Sequence, residues 1–152
     1  MWKGLGKKTV YLAGAINGCS DWEAKTWRNI ARIMLESDLA ILNPMARDYR
    51  GKEDENVREI VEKDLADIEA ADYILVMALR PSWGTAMEVR HAYKLAKPIY
   101  VVVHEGISVS PWLRYHANAI YPTINDACMA IGHDVWERQH GVTSRFDPVP
   151  TR

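Results

Sequence analysis

The sequence predicts an α/β fold in which a parallel sheet is covered by helices on both faces. Two observations carry this. Short apolar runs alternate with longer amphipathic stretches, in the order strand, helix, strand, helix, strand, helix, strand and a less regular end. The chain is also of single-domain size: 152 residues, 48% of them hydrophobic, supply one well-buried core and too little length for two ordinary domains. We therefore expect one domain over residues 1–140, and a mobile tail over 141–152 (GVTSRFDPVPTR), which lacks any periodicity.

The elements follow in order. Thr9 to Ala13 (TVYLA) is a β-rich run closed by Gly14. Ser20-Asp21-Trp22-Glu23 has the form of a capping box, in which a serine hydroxyl and a glutamate each satisfy an unpaired amide, and it opens a helix over about 21–36. Leu39 to Leu42 is a second strand ended by Asn43-Pro44, and the polar stretch from Met45 to Asn56 is a loop over the active edge. Val57, Ile60, Val61, Leu65 and Ile68 have the spacing of a helical stripe facing a core. Tyr73 to Leu79 is a buried strand, Pro81 to Gly84 a turn, and Thr85 to Ala96 a helix stopped by Lys97-Pro98. Ile99 to Val103 is the fourth strand. A short helix over Pro111 to Asn118, a short edge strand over Ala119 to Tyr121 and a closing helix over Thr123 to Ile131 complete about five strands.

Several function classes are disfavoured. Nineteen Lys+Arg against 20 Asp+Glu leave a formal charge of -1, so no global field draws the protein to a nucleic acid polymer or an anionic membrane. No run approaches a membrane span, Met1 to Lys8 has no apolar core of a leader, and Cys19 and Cys128 lack CxxC or metal spacing, which together suit a reducing cytoplasm. The five histidines show no HxH or HExxH spacing, so no metal is expected. The chain has no P-loop, no Gly-x-Gly-x-x-Gly fingerprint and no Gly-x-Ser-x-Gly elbow.

Parallel sheets bind ligands beyond the carboxyl ends of their strands, so Tyr11–Gly18, Asn43–Gly51 and Arg80–Glu88 are the candidate segments. Glu88 lies in the first turn of a predicted helix, and Ala92 and Leu95 place it on the inward stripe. The helix N-terminus favours an ionised carboxylate there by roughly 0.3–1 kcal/mol. Thr85-Ala86-Met87-Glu88 is equally a capping box, and spacing alone favours that reading. Asp64 stands inside the apolar stripe between Val57 and Ile68, where an unpaired charge is expensive; a buried ion pair explains one such aspartate. Two inward carboxylates near one sheet edge can instead divide the work of nucleophile and acid. Asp67 points away from the stripe, and Asp72 ends a helix or starts a strand. Tyr11 packs in its strand but needs a partner for its hydroxyl. Asn17-Gly18 reads as a turn, Ser82 as a turn or cap residue, and Trp83 as an aromatic placed to stack on a base. The main-chain amides after Ser82 suit a phosphate.

Val10-Tyr11-Leu12-Ala13-Gly14, Lys63-Asp64-Leu65, Ala71-Asp72 and Pro81-Ser82-Trp83-Gly84-Thr85-Ala86-Met87-Glu88, in that order and spacing, resemble the nucleoside 2-deoxyribosyltransferase superfamily over about residues 9–125. The resemblance implies a flavodoxin-like (Rossmann-like), doubly wound sheet and a homodimer or larger assembly whose subunits share active sites. It implies Glu88 as nucleophile, Tyr11 as the group orienting it and Asp64 as the acid near the leaving base, acting without cofactor on a small nucleoside or nucleotide. Gly14, Ile16, Asn17, Gly18, Ser82, Trp83 and Gly84 are the implied substrate contacts, with Asn118 lent across the dimer to the 5' end. The transferases carry an aspartate six residues before the nucleophile. Ser82 stands there in this chain, as in the related 2'-deoxynucleoside 5'-phosphate N-hydrolases, and a neutral donor suits a phosphate dianion that an aspartate would repel. Asn17 replaces an arginine of some hydrolases, which leaves Arg47, Arg50 or helix-end amides to meet the phosphate charge. The resemblance thus implies a retaining N-glycosidase of (2'-deoxy)nucleoside 5'-monophosphates. Base exchange by a 2-deoxyribosyltransferase is the alternative. A phosphoribohydrolase with a Pro-Gly-Gly-x-Gly-Thr-x-x-Glu motif, or a nucleotide-binding protein without catalysis, ranks below.

Overall fold

A computed structural model describes residues 6–142. Five parallel strands form one sheet in the order β2-β1-β3-β4-β5: β1 Lys8–Gly14, β2 Leu39–Leu42, β3 Tyr73–Met77, β4 Ile99–Val102 and β5 Ala119–Tyr121. The helices are α1 Asp21–Leu35, α2 Val57–Ala70, α3 Trp83–Lys94, the short α4 Pro111–His116 and α5 Ile124–Gln139. This is the flavodoxin-like doubly wound arrangement that the sequence predicts. The expected mobile tail lies outside the described residues from 143 onward.

Strand alternation assigns the two cores. Val10 and Leu12 of β1, with Leu75 and Met77 of β3, pack on Trp27, Ala31 and Leu35 of α1 and on Cys128, Ile131 and Val135 of α5. Tyr11 and Ala13, one residue out of phase, face Ile68 of α2 and Val89 and Ala92 of α3. Because β1 is central, all of Val10 to Ala13 are without exposure. The chain leaves β1 for β2 on one side and returns to β3 on the other, so the sheet order reverses at the carboxyl ends of β1 and β3. This is where such sheets form a crevice.

The α1 cap is as predicted: Ser20 Oγ accepts from the Glu23 amide at 3.2 Å and the Ser20 amide donates to Glu23 Oε2 at 2.8 Å. Other boundaries move. Strand β3 stops at Met77, and a 3-10 turn over Pro44–Arg47 occupies the start of the expected loop. Helix α3 begins two residues early, at Trp83, because Ser82 rather than Thr85 is its N-cap. Its inward residues are Thr85, Val89 and Ala92, whereas Leu95, assigned above to the inward stripe, is 41% exposed. Helix α5 runs eight residues beyond the predicted Ile131, to Gln139. A polar residue on its buried face hid that extension: Asp134 is buried, accepting from the Tyr73 hydroxyl at 2.7 Å and from Arg138 Nε at 2.7 Å. The apolar stripe of α2 is also only partly core. Ile68 is buried, but Val57 and Val61 are exposed and line a cavity.

Gly14 fixes where β1 ends and the crevice begins. A Cβ there would lie 2.7 Å from Cζ2 of the buried Trp27 ring and 3.3 Å from the Met77 carbonyl oxygen. Neither can yield easily, since Trp27 also carries the Arg28 guanidinium 4.4 Å from its ring centroid. Gly14→Ala is expected to lower stability by about 1–3 kcal/mol through overpacking, read as a fall in the urea midpoint at unchanged m-value; an unchanged midpoint would show that the ring moves aside freely.

Candidate active site

The crevice holds a cavity of about 290 Å³ beyond the carboxyl ends of β1, β2 and β3. Gly14, Ile16 and Asn17 come from the β1–α1 loop, Arg47, Tyr49 and Arg50 from the segment after β2, and Val57, Ile60, Val61 and Asp64 from α2. Ser82, Gly84, Thr85 and Glu88 form the α3 wall. The structure thus brings together Glu88, Asp64, Gly14, Ile16, Asn17, Ser82 and Gly84 from the residues singled out in the sequence, and Tyr11 bonds to Glu88 from beneath.

Glu88 is on α3, but not as a cap. Starting the helix at Trp83 makes Ser82 Oγ the acceptor for the Thr85 amide at 3.3 Å and for the Thr85 hydroxyl at 3.1 Å. Glu88 then lies in the second turn and is released from the capping box that spacing favoured. It projects toward β1, where the Tyr11 hydroxyl donates to Oε1 at 2.8 Å. Burial is the main influence on this carboxyl and pushes it up to about 8; Asp64 raises it further, while the Tyr11 bond and the buried Arg28 cation pull it down. The helix end therefore does not keep Glu88 ionised in the way the sequence suggests, because desolvation outweighs it. Tyr11, buried and beside two carboxylates, is held well above the ordinary phenol range and stays a donor.

Asp64 accepts from Arg47 Nη2 at 3.0 Å, and the same nitrogen donates to Asp67 at 2.7 Å. Asp67, read from the sequence as pointing away, is thus the second arm of this fork, since residues three apart on a helix share a side. Burial raises the Asp64 carboxyl above its usual value against the opposing pull of Arg47.

Sequence reasoning missed Arg28. Its guanidinium is fully buried, with Nη1 donating to the Ala24 carbonyl at 2.6 Å and Nη2 to the Gly14 carbonyl at 2.9 Å, while Nε has no hydrogen-bond partner among the described residues. Burial lowers its pKa to about 10, which leaves it cationic at neutral pH. The signal was available: Arg28 sits among Ala24, Trp27, Ala31 and Leu35 on the inward stripe of α1, an intrusion like that of Asp64 in α2.

Three predicted contacts lie elsewhere. Gly18, at φ +70°, makes the turn read from Asn17-Gly18 but does not line the cavity. Trp83 is 88% exposed and borders a second cavity, about 530 Å³, on the other side of the α3 start. Asn118 is remote from the crevice of its own chain. It precedes β5 at the amino edge of the sheet, opposite the crevice, where its Oδ1 accepts from the Ile99 amide at 2.8 Å and its own backbone amide donates to the Ile99 carbonyl at 2.9 Å.

Comparison with known proteins agrees with this arrangement. The family model described as nucleoside 2-deoxyribosyltransferase matches residues 10–110. No curated protein matches in sequence. Among solved structures, a 2-deoxyribosyltransferase from the psychrotolerant bacterium Bacillus psychrosaccharolyticus superposes with a TM-score of 0.63 at 18% identity, over 78% of this chain and 88% of that one. The CMP N-glycosidase BcmB of Clostridium botulinum superposes with a TM-score of 0.55 at 18% identity, over 82% of this chain and 99% of that one.

The buried Glu88 carboxyl makes stability depend on pH with a definite sign. Its folded pKa, about 8, exceeds the ordinary value of 4.5, so the folded state binds the extra proton between them and stability falls as pH rises through that window. Glu88→Gln removes this titration. Its Tm should therefore gain on wild type as pH is raised from about 5 to about 8.5, by several degrees at roughly 2–4 °C per kcal/mol; a pH-independent difference between the two melting curves would refute the burial argument.

Proposed function

The chain belongs to the nucleoside 2-deoxyribosyltransferase family, and on that premise we propose that it is an N-glycosidase of nucleoside 5'-monophosphates, with (2'-deoxy)nucleotides as substrate class and Glu88 as nucleophile. The observation that carries this reading is the 2.8 Å bond from the Tyr11 hydroxyl to Glu88 at the base of a crevice that also holds Asp64. The bond fixes one carboxylate oxygen and leaves the other for attack on the anomeric carbon. Glu88 forms a glycosyl ester as the base departs, and Asp64, whose proton affinity burial raises, supplies the proton the leaving nitrogen needs. Water then enters the place the base has left, gives a proton to the Asp64 carboxylate and cleaves the ester, so that Glu88 departs as carboxylate, Asp64 regains its proton and configuration is retained. Tyr11 keeps its proton throughout and holds the nucleophile at one angle.

Hydrolysis of monophosphates is favoured over base exchange by Ser82. Its hydroxyl, on the crevice wall at the α3 N-terminus, adds no charge to the place where the transferase pattern has an aspartate, and the exposed start of a helix favours an anion. The same glycosyl ester taken by a second base instead of water gives the transferase reaction, so the two readings differ in the acceptor and the 5' group. A shared homodimeric site fits the surface: Trp83, Met87, Trp112 and Tyr115 are all large and strongly exposed near the start of α3 and on α4. No helix of the described residues is long and apolar enough to cross a membrane.

Incubation of the protein with ribo- and deoxyribonucleoside monophosphates and the matching nucleosides, with and without an acceptor base, is expected to release free base from monophosphates alone. Glu88→Ala should cut that release by at least about a thousand-fold, and wild-type kcat/KM should be bell-shaped in pH, because the active form needs Glu88 ionised and Asp64 protonated. Exchange confined to nucleosides would replace hydrolysis with transfer, and full activity in Glu88→Ala would remove the nucleophile. Ser82→Asp should reduce kcat/KM on monophosphates roughly ten-fold more than on nucleosides through like-charge repulsion; equal loss on both would exclude a phosphate role for Ser82.

A further inference from the structure

A phosphate dianion at Ser82 needs a cation, and the arginines on the crevice wall are engaged. Arg47 is forked between Asp64 and Asp67. Arg50 pairs with Asp48 and with Asp21, and donates to the Cys19 carbonyl at 3.1 Å. Asn17 brings no charge. Arg80 differs from both arginines: it is exposed, two residues before Ser82, and makes no ion pair among the described residues.

Its position is nevertheless defined. Arg80 Nη2 donates to the Asn17 carbonyl at 3.2 Å and meets Cys19 Sγ at 3.0 Å, so the guanidinium lies across the turn of the β1–α1 loop. Among the described residues, Nε and Nη1 have no protein partner. A Cβ on Gly18 would come within 3.5 Å of Nη2, so the glycine turn and the arginine fit closely. Arg80 thus ties the β3–α3 loop, two residues before Ser82, to the β1–α1 loop at Asn17, and it lines the second cavity, which shares Ser82 and Thr85 with the first. The sequence places it at the start of the candidate segment Arg80–Glu88 but points to no role for it, because between a strand and a proline it looks like loop.

We propose that Arg80 is the residue that selects a 5'-phosphate: with one terminal nitrogen anchored on the β1–α1 loop, it turns its remaining donors to a phosphate resting on Ser82 and the first amides of α3. An arginine fork suits this better than a lysine, since it can present two parallel donors to two phosphate oxygens. It supplies from the β3–α3 loop the charge that Asn17 does not supply from the β1–α1 loop. The inference rests on the monophosphate reading above and names the group that would enforce it.

The test compares wild type, Arg80→Met and Arg80→Lys on CMP against cytidine and dCMP against deoxycytidine, reading kcat/KM, with calorimetric Kd for the same pairs and a melting curve for each variant. In Arg80→Met the monophosphate-to-nucleoside ratio should fall about 10- to 100-fold, the range for a lost charged hydrogen bond, and Arg80→Lys should recover part of it. An unchanged ratio, or equal loss on both members of a pair, overturns the role of Arg80 while leaving the N-glycosidase reading in place. Wild-type preference for nucleosides, in turnover and in Kd, overturns both. The Kd ratios read selectivity even if turnover is too slow to follow.

Discussion

The burial of Glu88 against Tyr11 constrains everything around it. A carboxyl taken out of water between a sheet and a helix holds its proton more tightly, and a donor and a cation nearby pull the other way. Here the donor comes from the central strand β1, and the nearest wholly buried cation, Arg28, comes from the helix on the other face of the sheet. The carboxyl therefore reports on both cores at once. Arg28 reaches it around the end of β1, where Gly14 has no side chain and its carbonyl receives the guanidinium. Glycine at that position, tryptophan stacked on the arginine and the absence, among the described residues, of any carboxylate directly on Arg28 form one arrangement, in which the positive charge acts on Glu88 and Tyr11 through space.

Charges at the sheet switch point divide into two kinds. Arg47 and Arg50 are tied by carboxylates that come from their own segment and from neighbouring helices, and these pairs order the long segment between β2 and α2. That segment forms the roof of the cavity, so the ion pairs act on its shape rather than on a ligand. Arg28 and Arg80 have backbone and sulfur partners instead, which position a guanidinium without neutralising it. One is buried on the other face of the sheet from Glu88 and the other is exposed beside the β1–α1 loop. This division lets a net charge of -1 coexist with guanidinium groups that no carboxylate neutralises among the described residues.

Part of the exposed apolar surface lies where the two cavities open. Val57 and Val61 line the crevice, and Trp83, Met87 and Trp112 lie about the start of α3 and on α4. The helical period that put Val57 and Val61 on one stripe with Ile68 was correctly read. What it could not reveal is that only the last turn of α2 meets the sheet, so the upper part of the same stripe becomes the wall of a site. Asp64 is on that stripe because the stripe leads into a cavity there, not because the core tolerates a charge.

The sequence by itself determined the architecture: the alternation of apolar runs and amphipathic stretches, the Ser20–Glu23 cap and the breaks at Pro44 and Pro98 encode five strands and their helices through interactions within a few residues. It also singled out Asp64 and Glu88 as polar groups on apolar stripes, while the roles of Glu88 as nucleophile and of Tyr11 as its partner came from the family resemblance. Only the tertiary structure decided which partners they have. Whether Ser82 or Thr85 caps α3 was open in the sequence, and the choice of Ser82 turned Glu88 from a cap into a cavity group. Arg47 joining Asp64 to Asp67, Arg28 reaching Gly14, Asn118 bridging to Ile99 at the far edge and Arg80 lying on Asn17 all join residues that the chain brings close only through the sheet. Such pairings depend on distances across elements, and local spacing contains no record of them.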